Sequence, residues 1–146
     1  MASDLKIDID GIRLNVRAGV IMRYNDQVVI EISKIGLNSV VPGGRVQINE
    51  RSSATLVREV FEEMNFNLEE KKLKQVKVFE NFFGDEKKFH EIYFLYEYIL
   101  NEEEYKKIRS VYNNKDNSTT YFEFVSKFKM KENNVLPLEI HDIIER

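Results

Sequence analysis

Apolar and polar residues alternate through the first part of the chain, which is the period of a β-strand. The alternation runs from residue 5 to residue 16 and is interrupted at Asp10-Gly11, a dipeptide that favours a tight turn. Apolar residues at 20–22 and 28–30 flank a second such pair, Asn25-Asp26. The pattern therefore predicts two consecutive turns of hairpin type before residue 31.

Residues 52–64 change to the period of an α-helix. When each residue is advanced by 100°, the apolar side chains fall within an arc of about 120°. This arc consists of Ala54, Val57, Val60, Phe61 and Met64. The preceding segment is rich in chain-breaking residues and predicts a loop from residue 35 to residue 44.

The second half of the chain adds strands and shorter helices. Residues 73–83 and 90–100 predict strands around a turn at Gly84-Asp85, and the second strand is apolar on both faces, as is typical of a covered, central strand. Residues 101–109 predict a helix capped by Asn101, residues 121–128 a last strand and residues 138–145 a terminal helix. This order of elements predicts an α/β fold in which a sheet lies between helices.

Composition narrows the class of protein. The 146 residues suggest one domain spanning 1–146, and 42% hydrophobic residues provide for a packed core. A net charge of −3 lacks the basic surplus of a general nucleic-acid-binding protein. With no cysteine and two histidines, thiolate zinc sites and multi-histidine sites are excluded. Without a sufficiently long apolar stretch, we expect a cytoplasmic protein with no membrane contact, and a homodimer is compatible with the sequence.

Three glutamates on the helix suggest chemistry. Glu59, Glu62 and Glu63 lie at i, i+3 and i+4, and the simplest interpretation is the solvated face of an amphipathic helix. Like charges at this spacing repel by a few tenths of a kcal/mol, however, and a divalent cation such as Mg²⁺ or Mn²⁺ would turn the repulsion into affinity. The glycines at 43 and 44 permit a close approach of the backbone to a ligand.

The same segment resembles the Nudix box, whose pattern is Gly-x5-Glu-x7-Arg-Glu-U-x-Glu-Glu-x-Gly-U, with U a bulky apolar residue. Between residues 44 and 66 the chain matches eight of the nine specified positions, and Pro42-Gly43 precedes them as in the family. The glycine near the end of the box is Asn65 here. Asn is the next-best residue for a left-handed helix cap, so we interpret it as a tolerated substitution.

The resemblance implies an α/β/α sandwich around a mixed β-sheet and Mg²⁺-dependent (or Mn²⁺-dependent) hydrolysis of a pyrophosphate bond. The substrate implied is a nucleoside diphosphate linked to another group, with a nucleotide or modified nucleotide as the expectation. Arg58 is expected to orient a catalytic glutamate by a bidentate bond. The implied metal ligands are Glu59, Glu62, Glu63 and the carbonyl of Gly43, with Glu50 beside them or on an outer metal.

Several points stay open at this level. The general base is either Glu59 or a residue of a later strand, for which Glu123 is the best candidate and Glu80 a weaker one, although Glu123 also fits an outward-facing strand position. Arg17 and Arg23 flank the first hairpin, where they could contact phosphates. The alternative functions are a catalytically inactive nucleotide-binding or regulatory module and a scaffold whose acidic residues only solubilise it.

Overall fold

The computed structural model describes residues 3–36 and 38–146. Within these ranges, seven strands form one sheet in the order β5-β6-β2-β3-β7, with β1 and β4 also paired to β2. The strands are β1 (Lys6–Ile9), β2 (Ile12–Tyr24), β3 (Gln27–Ser33), β4 (Gly43–Arg45), β5 (Lys74–Phe83), β6 (Lys88–Ile99) and β7 (Thr120–Ser126).

The long strand β2 organises the sheet. It runs antiparallel to β1, β3 and β4 and parallel to β6, so the sheet is mixed, as expected. β6 lies between β5 and β2, which confirms the prediction of a central strand. The loop predicted from residue 35 to residue 44 ends earlier than expected, because Gly43–Arg45 forms a short strand that pairs with Arg17–Gly19 of β2.

Both predicted turns are present and join β1 to β2 and β2 to β3. Asp10 and Gly11 have φ values of 50° and 79°, and Asn25 has a φ of 53°. These left-handed conformations suit Gly, Asn and Asp, and they match the twist of the flanking strands.

Helices cover both faces of the sheet. The helix α1 (Ser52–Met64) has the predicted bounds, and α2 (Glu102–Arg109) begins at Asn101, whose side chain accepts a hydrogen bond from the Glu104 N–H. The predicted terminal helix over 138–145 is wrong in part. The chain forms a 3₁₀ turn at Leu138–Ile140 and a single α-helical turn, α3 (His141–Ile144), because the first turn winds more tightly through a hydrogen bond from Ile140 N–H to the Pro137 carbonyl.

The core has one apolar cluster on each face. Alternate residues of β2 point to opposite faces and so supply both clusters. The cluster beneath α1 and α2 includes Val20, Met22, Leu56, Val60, Tyr98 and Ile108, and that beneath α3 includes Ile21, Ile30, Leu95, Ile140, Ile143 and Ile144. The arrangement confirms an α/β/α sandwich. In the part of the chain that the structure describes, no helix has the length and apolar character needed to cross a bilayer.

The buried stripe of α1 differs from the predicted arc. Phe61 is 47% exposed, whereas Leu56, Val60 and Met64 are buried together with Glu63, which is only 7% exposed. The stripe therefore follows positions i, i+4, i+7 and i+8 from Leu56. The interpretation of Glu63 as part of the solvated face of the helix is wrong, since this glutamate is buried and points towards the sheet.

Candidate metal and catalytic site

Asn65, the residue that departs from the pattern of the box, caps the carboxyl-terminal end of α1. Asn65 takes the left-handed conformation, with φ 54° and ψ 35°, and its N–H donates to the Phe61 carbonyl at 2.9 Å. Asn therefore serves here as the helix cap that the family supplies with Gly. Glu59, Glu62 and Glu63 all lie within the helix that this cap ends.

Two glycines of β4 permit two close contacts, one with β2 and one with a side chain of α1. A Cβ atom at Gly43 would collide with the carbonyl oxygen of Ala18 on β2. A Cβ atom at Gly44 would instead collide with the carboxyl group of Glu59. Gly43 thus permits strand pairing, whereas Gly44 makes the space in which the Glu59 side chain lies.

Arg58 connects the acidic residues of the box. Its Nε and Nη2 donate to the two oxygens of Glu50 at 2.9 and 3.1 Å, and its Nη1 donates to Glu59 Oε1 at 2.8 Å. Nη2 also donates to the Arg45 carbonyl at 3.1 Å, and Nη1 lies 3.6 Å from Glu62 Oε2. The bidentate contact is therefore with Glu50, while Glu59 receives a single charged hydrogen bond that leaves its second oxygen free of the arginine.

Glu50 is fully engaged by protein donors. Its Oε1 also accepts hydrogen bonds from the Thr55 hydroxyl at 2.7 Å and the Gln47 N–H at 3.1 Å. The hydrogen bond from Arg58 is the main reason why the pKa of Glu50 falls to about 2, with Thr55 and Gln47 adding to it. A carboxylate with so many donors fits a bracing position beside the glutamate cluster.

Glu63 has the opposite environment. Its Oε2 is buried without a hydrogen-bond partner among the described residues. Burial, together with the nearby carboxylates of Glu31 and Glu59, raises the pKa of Glu63 to about 9. Burial also raises the pKa of Glu59, against the opposing effect of Arg58. An unpaired buried acceptor costs about 1–3 kcal/mol, a cost that a bound cation would remove.

The donor set fits a hard divalent cation. Glu59, Glu62 and Glu63 offer carboxylate oxygens beside a glycine-rich strand, and oxygen ligands are those that Mg²⁺ and Mn²⁺ prefer. Within residues 3–36 and 38–146, however, no three carboxylate or imidazole groups already stand as a ligand shell. Glu62, whose side chain is 43% exposed, is the member with most freedom to move towards a cation.

A second buried carboxylate lies close to this cluster and was missed from the sequence. Glu31 on β3 is 8% exposed and accepts hydrogen bonds from Asn114 Nδ2 at 3.0 Å and the Thr120 hydroxyl at 2.8 Å. The N–H of Lys115 donates to the Glu63 carbonyl at 2.8 Å, so the 113–120 loop lies against the end of α1. The sequence signal that could have identified Glu31 is that it is a single acidic residue within the otherwise apolar centre of β3.

The later glutamates are not brought to the cluster. Glu123 on β7 is exposed and is paired with Ile30, whereas its neighbour Phe122 is paired with Glu31. Because adjacent residues of a strand point to opposite faces, Glu123 lies on the face away from α1. Glu80 is exposed and is within 3.1 Å of His90 Nε2.

A cavity of about 610 Å³ opens on the sheet face opposite α1, and we call it the sheet recess. Arg17, Glu91 and Tyr93 contribute polar groups from β2 and β6. The positive charge of Arg17 also acts on Glu63, partly opposing the rise in the pKa of that carboxyl group caused by burial. The sheet recess is therefore close to the acidic cluster. Its other lining residues are Asn38, Val40, Asn81, Phe82, Phe83, Gly84 and residues 136–139.

Comparisons with known proteins support the fold. The chain is similar to a mutator MutT protein from Bacillus halodurans, with 19% identity and a TM-score of 0.67 over 90% of this chain and 80% of that chain. It is similar to a MutT NUDIX hydrolase from Burkholderia pseudomallei, with 15% identity and a TM-score of 0.64 over 90% and 95% of the two chains. It is also similar to a MutT protein from Methanosarcina mazei, with 18% identity and a TM-score of 0.60 over 95% of each chain.

At such identities the structural likenesses show the fold. No curated protein matches the chain. A model of the NUDIX domain matches residues 13–133, which include both the box and the strands around it. The chain therefore belongs to the Nudix family, whose hydrolases act on pyrophosphate bonds.

Proposed function

We propose that this protein hydrolyses a pyrophosphate bond in a nucleoside diphosphate linked to another group, with Mg²⁺ or Mn²⁺ bound by the glutamates of α1. The observation that carries the proposal is the Glu63 carboxyl group, which is buried with one oxygen unpartnered. The other buried residues of the same stripe of α1, Leu56, Val60 and Met64, are apolar. A bound cation gives it a physical reason, because it would stabilise the ionised carboxylate that burial and the neighbouring carboxylates disfavour.

The metal ligands in this proposal are the carboxylates of Glu59, Glu62 and Glu63 with the carbonyl of Gly43. When bound, a divalent cation neutralises charge on the diphosphate and lowers the pKa of water. Glu50 and Arg58 act as positioning residues, since the bidentate bond between them fixes the guanidinium that donates to Glu59. Gly44 supports the same carboxylate by leaving room for it.

For the proton of the attacking water, Glu59 is the acceptor that the geometry favours. Its Oε1 is held by Arg58, and its side chain is 16% exposed and lies against β4. Glu123 is the second candidate, on the face of the sheet away from α1. A Glu123→Gln variant distinguishes the two candidates. If this variant retains turnover, the proton acceptor belongs to the glutamate cluster on α1.

The decisive experiment replaces Glu62 with Gln. This side chain is 43% exposed, so the exchange removes a charge without disturbing the core. We expect kcat/KM to fall by at least about 100-fold, because a metal ligand contributes several kcal/mol to stabilising charge in the transition state. The measurements are calorimetric titration with Mn²⁺ and phosphate release from a panel of nucleoside diphosphate derivatives.

The matched control is Glu103→Gln, an equally conservative exchange at an exposed position on α2. It should keep parental metal affinity and turnover. Equal activity of the Glu62→Gln variant and the parent would contradict the metal assignment. Tight Mn²⁺ binding without turnover of any compound in the panel would instead support the inactive nucleotide-binding module.

A further inference from the structure

The helix α1 covers only part of its face of the sheet. It begins over β6 at Tyr96, whose hydroxyl group lies 2.6 Å from Ser52 Oγ. Further towards the turn between β1 and β2, large apolar side chains on the same face of the sheet are exposed to solvent. We call this uncovered area the open face, and its exposed apolar residues are Ile7, Ile9, Ile12, Val78 and Phe82.

The strand register shows that these residues form one continuous surface. Residues paired across neighbouring strands, and residues two apart on a strand, point to the same face. The open face therefore has four rows of side chains that cross the strands. The first row is Ile9, Ile12 and Lys88, the second Ile7, Leu14, His90 and Phe82, the third Val16, Ile92 and Glu80, and the fourth Ala18, Phe94 and Val78. Ala18 belongs to the apolar cluster beneath α1, so the open face continues the surface on which that helix packs.

The alternation within β1 indicates a strand with one face to be covered. On its polar face, Asp8 accepts hydrogen bonds from Arg13 at 2.9 Å and from Lys87 at 3.0 Å. Such alternation is typical of a strand that has one solvated face and one buried face. On the apolar face, however, Ile7 and Ile9 are 56% and 53% exposed. Exposed apolar side chains that lie together in this way mark an interaction surface.

The area of the open face matches an interface between two copies of the chain. Its five exposed apolar side chains are between 41% and 66% exposed. With about 200 Å² for a fully exposed large side chain, they present an apolar area on the order of 500 Å². A standard interface buries about 800 Å² per partner, of which about 65% is apolar in homodimers. The open face thus has the apolar area that one copy contributes to a homodimer.

The charges on the open face are complementary to the same face of a second copy. Lys88 in the first row forms no salt bridge with any of the described residues. Glu80 in the third row has a side chain 63% exposed, and it lies 3.1 Å from His90 Nε2. A two-fold axis that crosses the strands along the second row places the first row of each copy over the third row of the other. Lys88 of each copy then approaches Glu80 of the second copy.

We propose that two copies of this chain pack their open faces together and form a symmetric homodimer. Two sheets stacked in this way lie about 10 Å apart, the spacing at which facing side chains interdigitate. The helix α1 begins beyond the fourth row, so it lies past the turn between β1 and β2 of the other copy and does not obstruct the contact. The pairs of Lys88 with Glu80 on the two sides of the axis fix the register of the apolar rows between them.

The first test compares two phenylalanines of nearly equal exposure. Phe82 and Phe128 are 66% and 63% exposed, and Phe128 lies outside the open face. Sedimentation equilibrium of the parent should give a species with twice the 17.3 kDa of one chain. Phe82→Asp should raise the dissociation constant of the dimer at least about tenfold, because a symmetric interface loses the apolar contact twice and gains two buried carboxylates. Phe128→Asp should leave the constant unchanged, and circular dichroism verifies that both variants fold.

A second test reverses the charges and is specific for a contact between two copies. Lys88→Glu and Glu80→Lys should each weaken the dimer, because each exchange brings like charges together across the two-fold axis. The double variant restores opposite charges and should regain most of the parental affinity. Within one chain the two residues are two rows apart, a separation of about 14 Å along the strands, so this recovery measures a contact between copies.

Three results overturn the inference. A parent protein that stays monomeric throughout the micromolar range shows that the open face does not bind a second copy. A dimer that Phe82→Asp leaves intact uses another surface, and a double variant no tighter than the single variants contradicts the pairing of Lys88 with Glu80. Neither test depends on hydrolysis, because none of the exchanged residues belongs to α1 or β4.

Discussion

At the scale of single residues, the proposed site depends on one buried carboxyl group and on two glycines that have different roles. Glu63 lies within the sheet-facing stripe of α1, where an apolar residue would be cheaper to bury. Gly43 and Gly44 lie side by side on β4, and neither has the positive φ that would itself demand Gly. Both positions need Gly for steric reasons. A methyl group at Gly43 would collide with the backbone of β2, whereas a methyl group at Gly44 would collide with the Glu59 side chain.

This difference predicts contrasting effects of two alanine variants. Gly43→Ala should lower the melting temperature clearly, because its methyl meets backbone of β2 that cannot move without breaking strand pairing. Gly44→Ala should stay within about 1 kcal/mol of parental stability, because a side-chain carboxyl can rotate away, but it should lose metal affinity and turnover. Thermal unfolding and Mn²⁺ titration of both variants measure the contrast. Parental turnover in Gly44→Ala would show that Glu59 does not need this space.

At the scale of elements, the accuracy of prediction follows how local the signals are. The helix α2 has its signals within its own sequence, with Asn101 at the start, acidic residues in the first turn and basic residues in the last. Its bounds were therefore predictable. The 3₁₀ turn at Leu138–Ile140 follows from a contact with the preceding proline carbonyl, which periodicity does not report.

The capping box of α2 also predicts how stability changes with pH. Burial acts to raise the pKa of Glu104, but hydrogen bonds from Asn101 N–H, Lys72 and Tyr98 outweigh it and hold the pKa below its usual value. The distances are 3.0, 2.7 and 2.6 Å. A carboxyl group whose pKa is lower in the folded state than in the unfolded state stabilises the fold when the pH is above its unfolded-state pKa. This stabilisation is lost as the pH falls through its folded-state pKa.

We therefore expect Glu104→Gln to be destabilised by about 1–3 kcal/mol near pH 7. The amide of the exchanged side chain can still accept the hydrogen bond of the capping box. The loss of stability therefore measures the contribution of the negative charge and of the groups that pair with it. The difference from the parent should shrink below about pH 4.5, where the parental carboxylate becomes protonated in the unfolded chain and then in the fold. Chemical denaturation across this range is the measurement, with Glu103→Gln as control. A difference that stays constant with pH would contradict the assignment.

At the scale of the whole molecule, the sheet brings together what the sequence separates. The pattern predicted which segments are strands, but not that Glu31 would lie beside Glu63 or that Arg17, Glu91 and Asn81 would form one floor. These juxtapositions depend on the parallel pairing of β2 with β6 and on the antiparallel pairing of β3 with β7. Pairing between distant strands leaves no local signal. The motif therefore identified the acidic helix, whereas the sheet recess could be found only in three dimensions.

The acidic cluster joins α1, β4 and the 113–120 loop, so cation binding should stabilise the molecule as a whole. A ligand that binds only the folded state adds about 2.7 kcal/mol at 100 times its Kd. For a chain of this size, the melting temperature should rise by roughly 5–10 °C on saturation with Mg²⁺. NaCl at matched ionic strength should give little of this rise, because screening does not pair the buried carboxylate.

The Glu63→Gln variant makes this prediction specific to the site. Its side chain keeps nearly the parental shape but loses the charge that a cation would pair, so the Mg²⁺-dependent rise should largely disappear. Without added metal, the variant should be at least as stable as the parent, because it no longer carries an unpaired carboxyl group at a position 7% exposed. Differential scanning calorimetry of both proteins with EDTA, Mg²⁺ and NaCl tests both statements. An equal Mg²⁺ effect in parent and variant would place the cation elsewhere and remove the physical reason for a buried acid on α1.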